Sequence, residues 1–266
     1  MPFRTVKNGK IEYLAADGIT VPHGFTTRLG GVSKAPLDSM NLAVRLDETQ
    51  DAVAENYRIL GTALGFAPEN LVLPRQTHTD LVRVVTQADR RGCFHRAYPA
   101  CDGLVTNEPG LALVVFTADC TPILLHDPVT GAVGAVHAGW RGTAKAIAAR
   151  AVEAMAAHFG SRPSDIRAAI GPNIGPCCFE TDADVPQAMR EAFGTEADAF
   201  IQPKGNKYYV NLKETNALVL RRAGVEQIDI SPLCTACRTD LFWSHRRMGQ
   251  QRGSQGAVIV CKEVGK

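Results

Sequence analysis

Apolar positions recur along this chain with two different periods. Val53, Tyr57, Leu60 and Leu64 fall at helical spacing, and Gly65 follows as a left-handed stop. Asp47-Glu48-Thr49-Gln50 ahead of them resembles a capping box, so the pattern predicts a surface helix with one apolar stripe. A second helix is predicted after Gly142, with Ile147, Ala148, Ala151, Val152, Met155 and Phe159 on one face before Gly160. Weaker helices are expected over 185–193 and 213–223, the latter capped through Asn211 and Glu214. Short apolar runs bounded by turn residues read as strands at 111–117, 123–126, 132–137, 166–170, 208–212 and 256–261. Asp127-Pro128-Val129-Thr130-Gly131 is a turn sequence between two of them, which predicts an antiparallel hairpin. The expected architecture is mixed α and β, and a purely parallel Rossmann-like order is disfavoured.

Composition narrows the class. The 266 residues are 45% hydrophobic and 21% charged, the balance of a globular protein, and no linker, repeat or charge run divides them. One domain over residues 1–266 is therefore expected. With 29 basic against 27 acidic residues, no positive field exists to attract a nucleic acid. The amino terminus lacks the apolar stretch of a signal peptide and the apolar runs are too short to span a bilayer, so a cytoplasmic, non-membrane protein is expected. In that compartment the eight cysteines are expected to be reduced thiols, free to pack, ligate or react.

Three segments combine a metal-capable side chain with backbone punctuation: Arg75-Gln76-Thr77-His78, Thr117-Ala118-Asp119-Cys120 and His137-Ala138-Gly139-Trp140-Arg141-Gly142. Each lies at or just after the end of a predicted strand, where sheet proteins commonly carry their sites. The spacing from His78 to Cys120 to His137 is far too long for a zinc finger, but suits a catalytic zinc with three protein ligands and an open fourth position. Such an ion acidifies a bound water and polarises substrate atoms. Taken singly, a histidine or cysteine at a strand end is more often a packing group than a ligand. A nucleophilic Cys120 with His137 as its base explains two of the three residues equally well. The run through Gly139 and Gly142 into a helix, with Arg141, offers donors for an anion such as phosphate, although the same glycines also suit an ordinary strand-to-helix turn.

Read together, Phe25–Ser33, Gln76-Thr77-His78, Thr117–Cys120, His137–Gly142, Gly171–Glu180 and Cys234-Thr235-Ala236-Cys237 resemble one family in order over nearly the whole chain. It is the YfiH-type family, once labelled laccase-domain or polyphenol oxidase and now regarded as purine nucleoside phosphorylases. The resemblance implies a four-layer α-β-β-α sandwich with mixed sheets and one zinc per chain on His78, Cys120 and His137. It further implies phosphorolysis of adenosine, inosine, guanosine and methylthioadenosine, and deamination of adenosine. For deamination, Asp119 or Asp102 is the expected proton shuttle. For phosphorolysis, Arg28 or Arg141 is the expected anion donor. Gln76, Cys178 and Glu180 are expected to line the substrate pocket.

Departures from the family pattern fall at 41–45, Tyr57, Cys101 and 251–254 and touch none of the three ligands. Cys234 and Cys237, with Cys177 and Cys178 far away in sequence, read first as packing residues, and otherwise as a redox pair or half of a metal site. His23, His95, His126, His158 and His245 read as surface or core histidines, and Arg246-Arg247 either contact a ligand or face water, solvation being the commoner outcome. Two rival functions stand beside the zinc enzyme. One is a copper polyphenol oxidase, weakened by the lack of His-x-His pairs. The other is a cell-wall precursor editing factor. The oligomeric state is not legible in the sequence.

Overall fold

A computed structural model describes residues 2–44, 49–94 and 99–263. Two six-stranded mixed sheets dominate it. The first runs, in spatial order, Phe3–Asn8, Ile11–Ala16, His23–Thr26, Gln255–Val260, Ala112–Thr117 and Leu71–Val72. The second runs Gln227–Ile230, Arg167–Ile170, Thr121–His126, Val133–Ala138, Gly103–Thr106 and Val82–Val84. The sheets pack face to face, with helices over both outer faces, which gives the expected α-β-β-α layering.

The central strands read as continuous apolar runs because both of their faces are buried, and the two-residue period sorts their side chains between different cores. In Ala112–Thr117, Leu113 and Val115 face the space between the sheets, whereas Ala112, Val114 and Phe116 face the outer layer. In Val133–Ala138, Val133 and Ala135 enter the inter-sheet core while Val136 and Ala138 meet the helices. Three stacked cores result. Helix Gln50–Leu64 closes one outer face with Val53, Tyr57, Leu60 and Leu64, and helices Ile147–Phe159 and Leu212–Arg222 close the other.

Most predicted elements form. Thr49 caps the first helix, accepting from the Ala52 amide, and Gly65 ends it at φ 74°; Asp47 and Glu48 of the predicted capping box, like His95, lie outside the described residues. The Asn211 side chain accepts from the Glu214 amide as expected. Thr121–His126 and Val133–Ala138 form the antiparallel hairpin across Asp127–Gly131, with His126 opposite Val133. Between Gly139 and Gly160 the chain differs from prediction. A five-residue helix, Trp140–Ala144, comes first, and a left-handed Ala146 at φ 57° breaks it from Ile147–Phe159. The first strand is not predicted from the sequence, because Phe3–Asn8 exposes most of its residues and lacks an apolar alternation. No helix among the described residues is long and apolar enough to cross a membrane.

Candidate metal centre and cavities

His137 sits in a central strand, Cys120 immediately before the neighbouring strand Thr121–His126, and His78 in the segment that leads toward Val82–Val84. Strand pairing sets Pro122 opposite His137, so Cys120 lies just beyond that register. One ligand atom from each of His78, Cys120 and His137 lies within 4.8 Å of the others. The two imidazoles meet edge to face, with ring centroids 4.9 Å apart. Gly139 is what allows this convergence: a Cβ there would lie 2.5 Å from His78 Nδ1 and 3.4 Å from Cys120 Sγ. Its φ is an ordinary −65°, so close approach rather than backbone freedom demands the glycine.

Asp102 organises the centre from behind. Fully buried, it accepts from the amides of Thr77 (3.1 Å), His78 (3.1 Å) and Thr79 (2.7 Å), from Thr79 Oγ1 (2.8 Å) and from His137 Nδ1 (2.8 Å). The left-handed φ of 62° at His78 turns those three successive amides inward, making a backbone anion nest around the carboxylate. Burial raises the Asp102 carboxyl, but the bonds from His137 and Thr79 outweigh it and hold the pKa at about 2. A carboxylate on Nδ1 fixes the His137 tautomer and aims Nε2 at the centre, the usual outer partner of a metal-bound histidine. Burial pushes His137 down, yet Cys120 and Asp102 drive it up to about 9, so positive charge is favoured here. Desolvation, His137 and Arg141 hold His78 below the ordinary histidine range, which keeps its imidazole available as a ligand. Two imidazoles and a thiol from three rigid segments, with an open side, fit a three-ligand transition-metal site.

The open side faces two cavities that meet at His78, Ala118, Cys120 and Arg252. The larger, about 330 Å³, has an apolar wall of Trp140, Ile174, Phe179 and Leu212 and a basic rim of His245, Arg246 and Arg252. The smaller, about 190 Å³, is lined by Gln76, Thr117 and Ser254 among others.

The remaining expected residues divide. Gln76 lines the smaller cavity, where its amide pairs with the Phe116 backbone in both directions (2.7 and 2.8 Å). Asp119 lines the larger, but its carboxylate accepts from Thr235 Oγ1 (2.6 Å), Ser244 Oγ (3.0 Å) and the Arg246 amide (2.7 Å). Arg141 lies outside the cavity lining, with its guanidinium 4.1 Å from the Trp140 ring centroid. Arg28 is also away from both cavities; it donates to Asp38 and Thr239 carbonyls and stacks 3.9 Å from the Trp243 ring centroid. The aromatic ring and two backbone loops use its planar fork as a structural clamp. Glu180 is exposed and accepts from the Tyr209 hydroxyl (2.7 Å), and Cys178 faces other cysteines instead of the cavity. Sequence reasoning missed Trp140, Phe179, His245 and Arg252 as cavity residues, and weighed Arg246 as a ligand contact only behind solvation. Proximity to the Cys-rich and Gly-Arg segments was the only signal, because their side chains converge from loops distant in the chain.

Two packed mixed sheets with His78, Cys120 and His137 gathered at the strand ends make up a laccase-domain protein. The family model described as multi-copper polyphenol oxidoreductase laccase matches residues 22–262, and the chain belongs to that family. Among its relatives, purine nucleoside phosphorylase YlmD of Bacillus subtilis is 39% identical over 247 residues, covering 91% of this chain and 88% of the relative. A purine nucleoside phosphorylase of Deinococcus radiodurans is 40% identical over 249 residues, with 94% and 92% covered. The crystal structure of a Bacillus licheniformis hypothetical protein, YfiH, superposes with a TM-score of 0.92 at 37% identity, covering 98% and 99% of the two chains.

Proposed function

We propose that this chain is a zinc-dependent purine nucleoside phosphorylase that also deaminates adenosine. The convergence of His78, Cys120 and His137 within 4.8 Å, at the junction of two cavities, carries the reading. The names of its relatives supply the substrate class. Zinc held by these three residues would supply Lewis acidity and an activated water.

The chain's own groups then divide the work. Trp140, Ile174, Phe179 and Leu212 offer the apolar wall for a purine, in a cavity whose volume lies at the lower end of the range of about 300–1,000 Å³ typical of ligand sites. His245, Arg246 and Arg252 give the same space a basic rim, so they take the phosphate-binding role expected of Arg28. Arg141, close enough to influence His78, adds positive charge from the side. Asp102 is a positioning residue, shut away from the cavities behind His137. Asp119, which reaches the larger cavity, is the carboxylate left for proton transfer during deamination, its three donors fixing its orientation. The eight unpaired cysteines suit a cytoplasmic enzyme.

Cys120, His137 and Asp102 also stand in the order of a thiol nucleophile, its base and the base's orienter. That alternative leaves His78, brought within ligand distance of both, without a task. The same three donors occur in blue-copper sites, which add a weak axial ligand, commonly methionine; among the described residues no methionine lines either cavity, and an open site on a ligand-sized cavity suits substrate better than electron transfer.

The test incubates metal-quantified protein with adenosine, inosine, guanosine and methylthioadenosine, with and without phosphate, and separates the products. Free base and a pentose 1-phosphate formed only with phosphate, and inosine formed from adenosine without it, are expected. Full turnover by zinc-free protein would overturn the reading.

A further inference from the structure

A second convergence lies on the far side of the cavity wall. Cys177 and Cys178 come from a tight turn in which the amides of Cys178 and Phe179 both donate to the Gly175 carbonyl at 2.9 Å. Cys234 and Cys237 come from a turn some 60 residues later, docked onto the first by a parallel bridge between Asn173 and Cys234. All four sulfurs lie within 4.8 Å of one another; Cys237 Sγ is 3.5 Å from that of Cys177 and 3.4 Å from that of Cys178. Four thiolates about 2.3 Å from a tetrahedral zinc would stand roughly 3.8 Å apart. The observed spacing is close to that, too tight to enclose a multi-iron cluster and far longer than the ~2.05 Å of a disulfide. The Gly175 amide donates to Cys234 Sγ at 3.1 Å, the kind of contact that stabilises a metal-bound thiolate. Arg247 Nη2 reaches Cys178 Sγ at 3.6 Å. The buried Lys213 ammonium, anchored on the Ser231 and Leu233 carbonyls at 2.7 Å, adds charge near Cys234 and Cys177.

This corner has little apolar core of its own: only Ile174, Cys234 and Ala236 are buried in its cluster. Small units with so little core commonly gain their stability from a metal. We propose that Cys177, Cys178, Cys234 and Cys237 bind one structural zinc as a tetrathiolate, separate from the His78, Cys120, His137 centre. Four thiol protons leave on binding, and the ion staples the 173–180 loop to the 234–237 turn. That staple positions the cavity. Ile174 and Phe179 sit on the first segment, Thr235 braces Asp119 from the second, and Arg246 donates to the Cys178 and Glu180 carbonyls at 2.8 and 2.9 Å.

Metal analysis and zinc X-ray absorption on the full chain, purified without chelator, test this. Two zinc ions per wild-type chain are expected. The His78→Ala/Cys120→Ala variant should keep one, with four sulfur neighbours at about 2.3 Å. The Cys234→Ser/Cys237→Ser variant should keep one with a mixed nitrogen and sulfur shell. The first variant leaves the tetrathiolate untouched, so it decides the matter even where the second fails to fold. A folded His78→Ala/Cys120→Ala protein without sulfur-ligated zinc overturns the proposal, and so does a disulfide among the four cysteines in the native intact mass. A wild-type protein holding only the four-sulfur zinc would sustain it while removing the zinc from the proposed active centre.

Discussion

Replacing Asp102 with asparagine changes one oxygen to an amide nitrogen in a pocket made entirely of donors. One carboxylate oxygen accepts from the Thr77 and Thr79 amides and from Thr79 Oγ1; the other accepts from the His78 amide and His137 Nδ1. Whichever way the new amide turns, its NH₂ faces at least two donors that lose their acceptor while buried. Each such loss costs about 1–3 kcal/mol, so the metal-free protein should lose on the order of 2–6 kcal/mol of stability. If the NH₂ turns toward His137, the ring must present a bare Nδ1 and carry its proton on Nε2, the atom needed for the metal. Outer partners of this kind are worth about 10–100-fold in metal affinity, or roughly 1.4–2.7 kcal/mol. The assay pairs urea unfolding in chelator with zinc competition against a chromophoric chelator. Asp119→Asn is the control, since its donors are Thr235, Ser244 and Arg246 and none is a ligand. It should keep zinc at the His78 centre yet lose deaminase activity. A folded Asp102→Asn protein with wild-type zinc affinity would refute the argument.

Other consequences are equally direct. Gly139→Ala drives a methyl to 2.5 Å from His78 Nδ1, so the variant should fold but lose one zinc, as read by metal analysis. Phe179→Ala removes an aromatic wall of the larger cavity and should raise KM for inosine about 2- to 13-fold, from the ~0.5–1.5 kcal/mol that an aromatic contact contributes. His126 is buried, and desolvation followed by Arg167 lowers its pKa from 6.5 to about 4. The unfolded chain therefore takes up this proton first as pH falls. Stability present above pH 6.5 should be lost progressively toward pH 4, by about 2 kcal/mol at pH 5. Comparing urea midpoints at pH 8 and pH 5 for the wild type and His126→Gln checks this; an equal pH dependence in both would exclude His126 as its source.

The elements with strong local signals were legible without coordinates. Val53, Tyr57, Leu60 and Leu64 specify their helix because a 3.6-residue period needs no partner to be recognised, and Asp127–Gly131 specifies its hairpin through turn chemistry alone. The three residues of the proposed metal centre stood out too, as residue types at strand ends, although the bare pattern left zinc and a cysteine nucleophile level. Tertiary structure added His78 to the Cys120–His137 pair and placed Asp102 behind it, a contact between residues 35 apart in sequence. It moved Arg28 out of the site, since only packing shows that Trp243 and the Asp38 and Thr239 carbonyls already hold its guanidinium. It also joined Cys177-Cys178 to Cys234 and Cys237, pairs that read separately as packing residues. Periodicity and turn chemistry act over a few neighbouring residues and are therefore written locally in the chain. Side chains that meet across sheets and loops owe their geometry to the packing of whole layers, and only the folded chain decides which of them share a site.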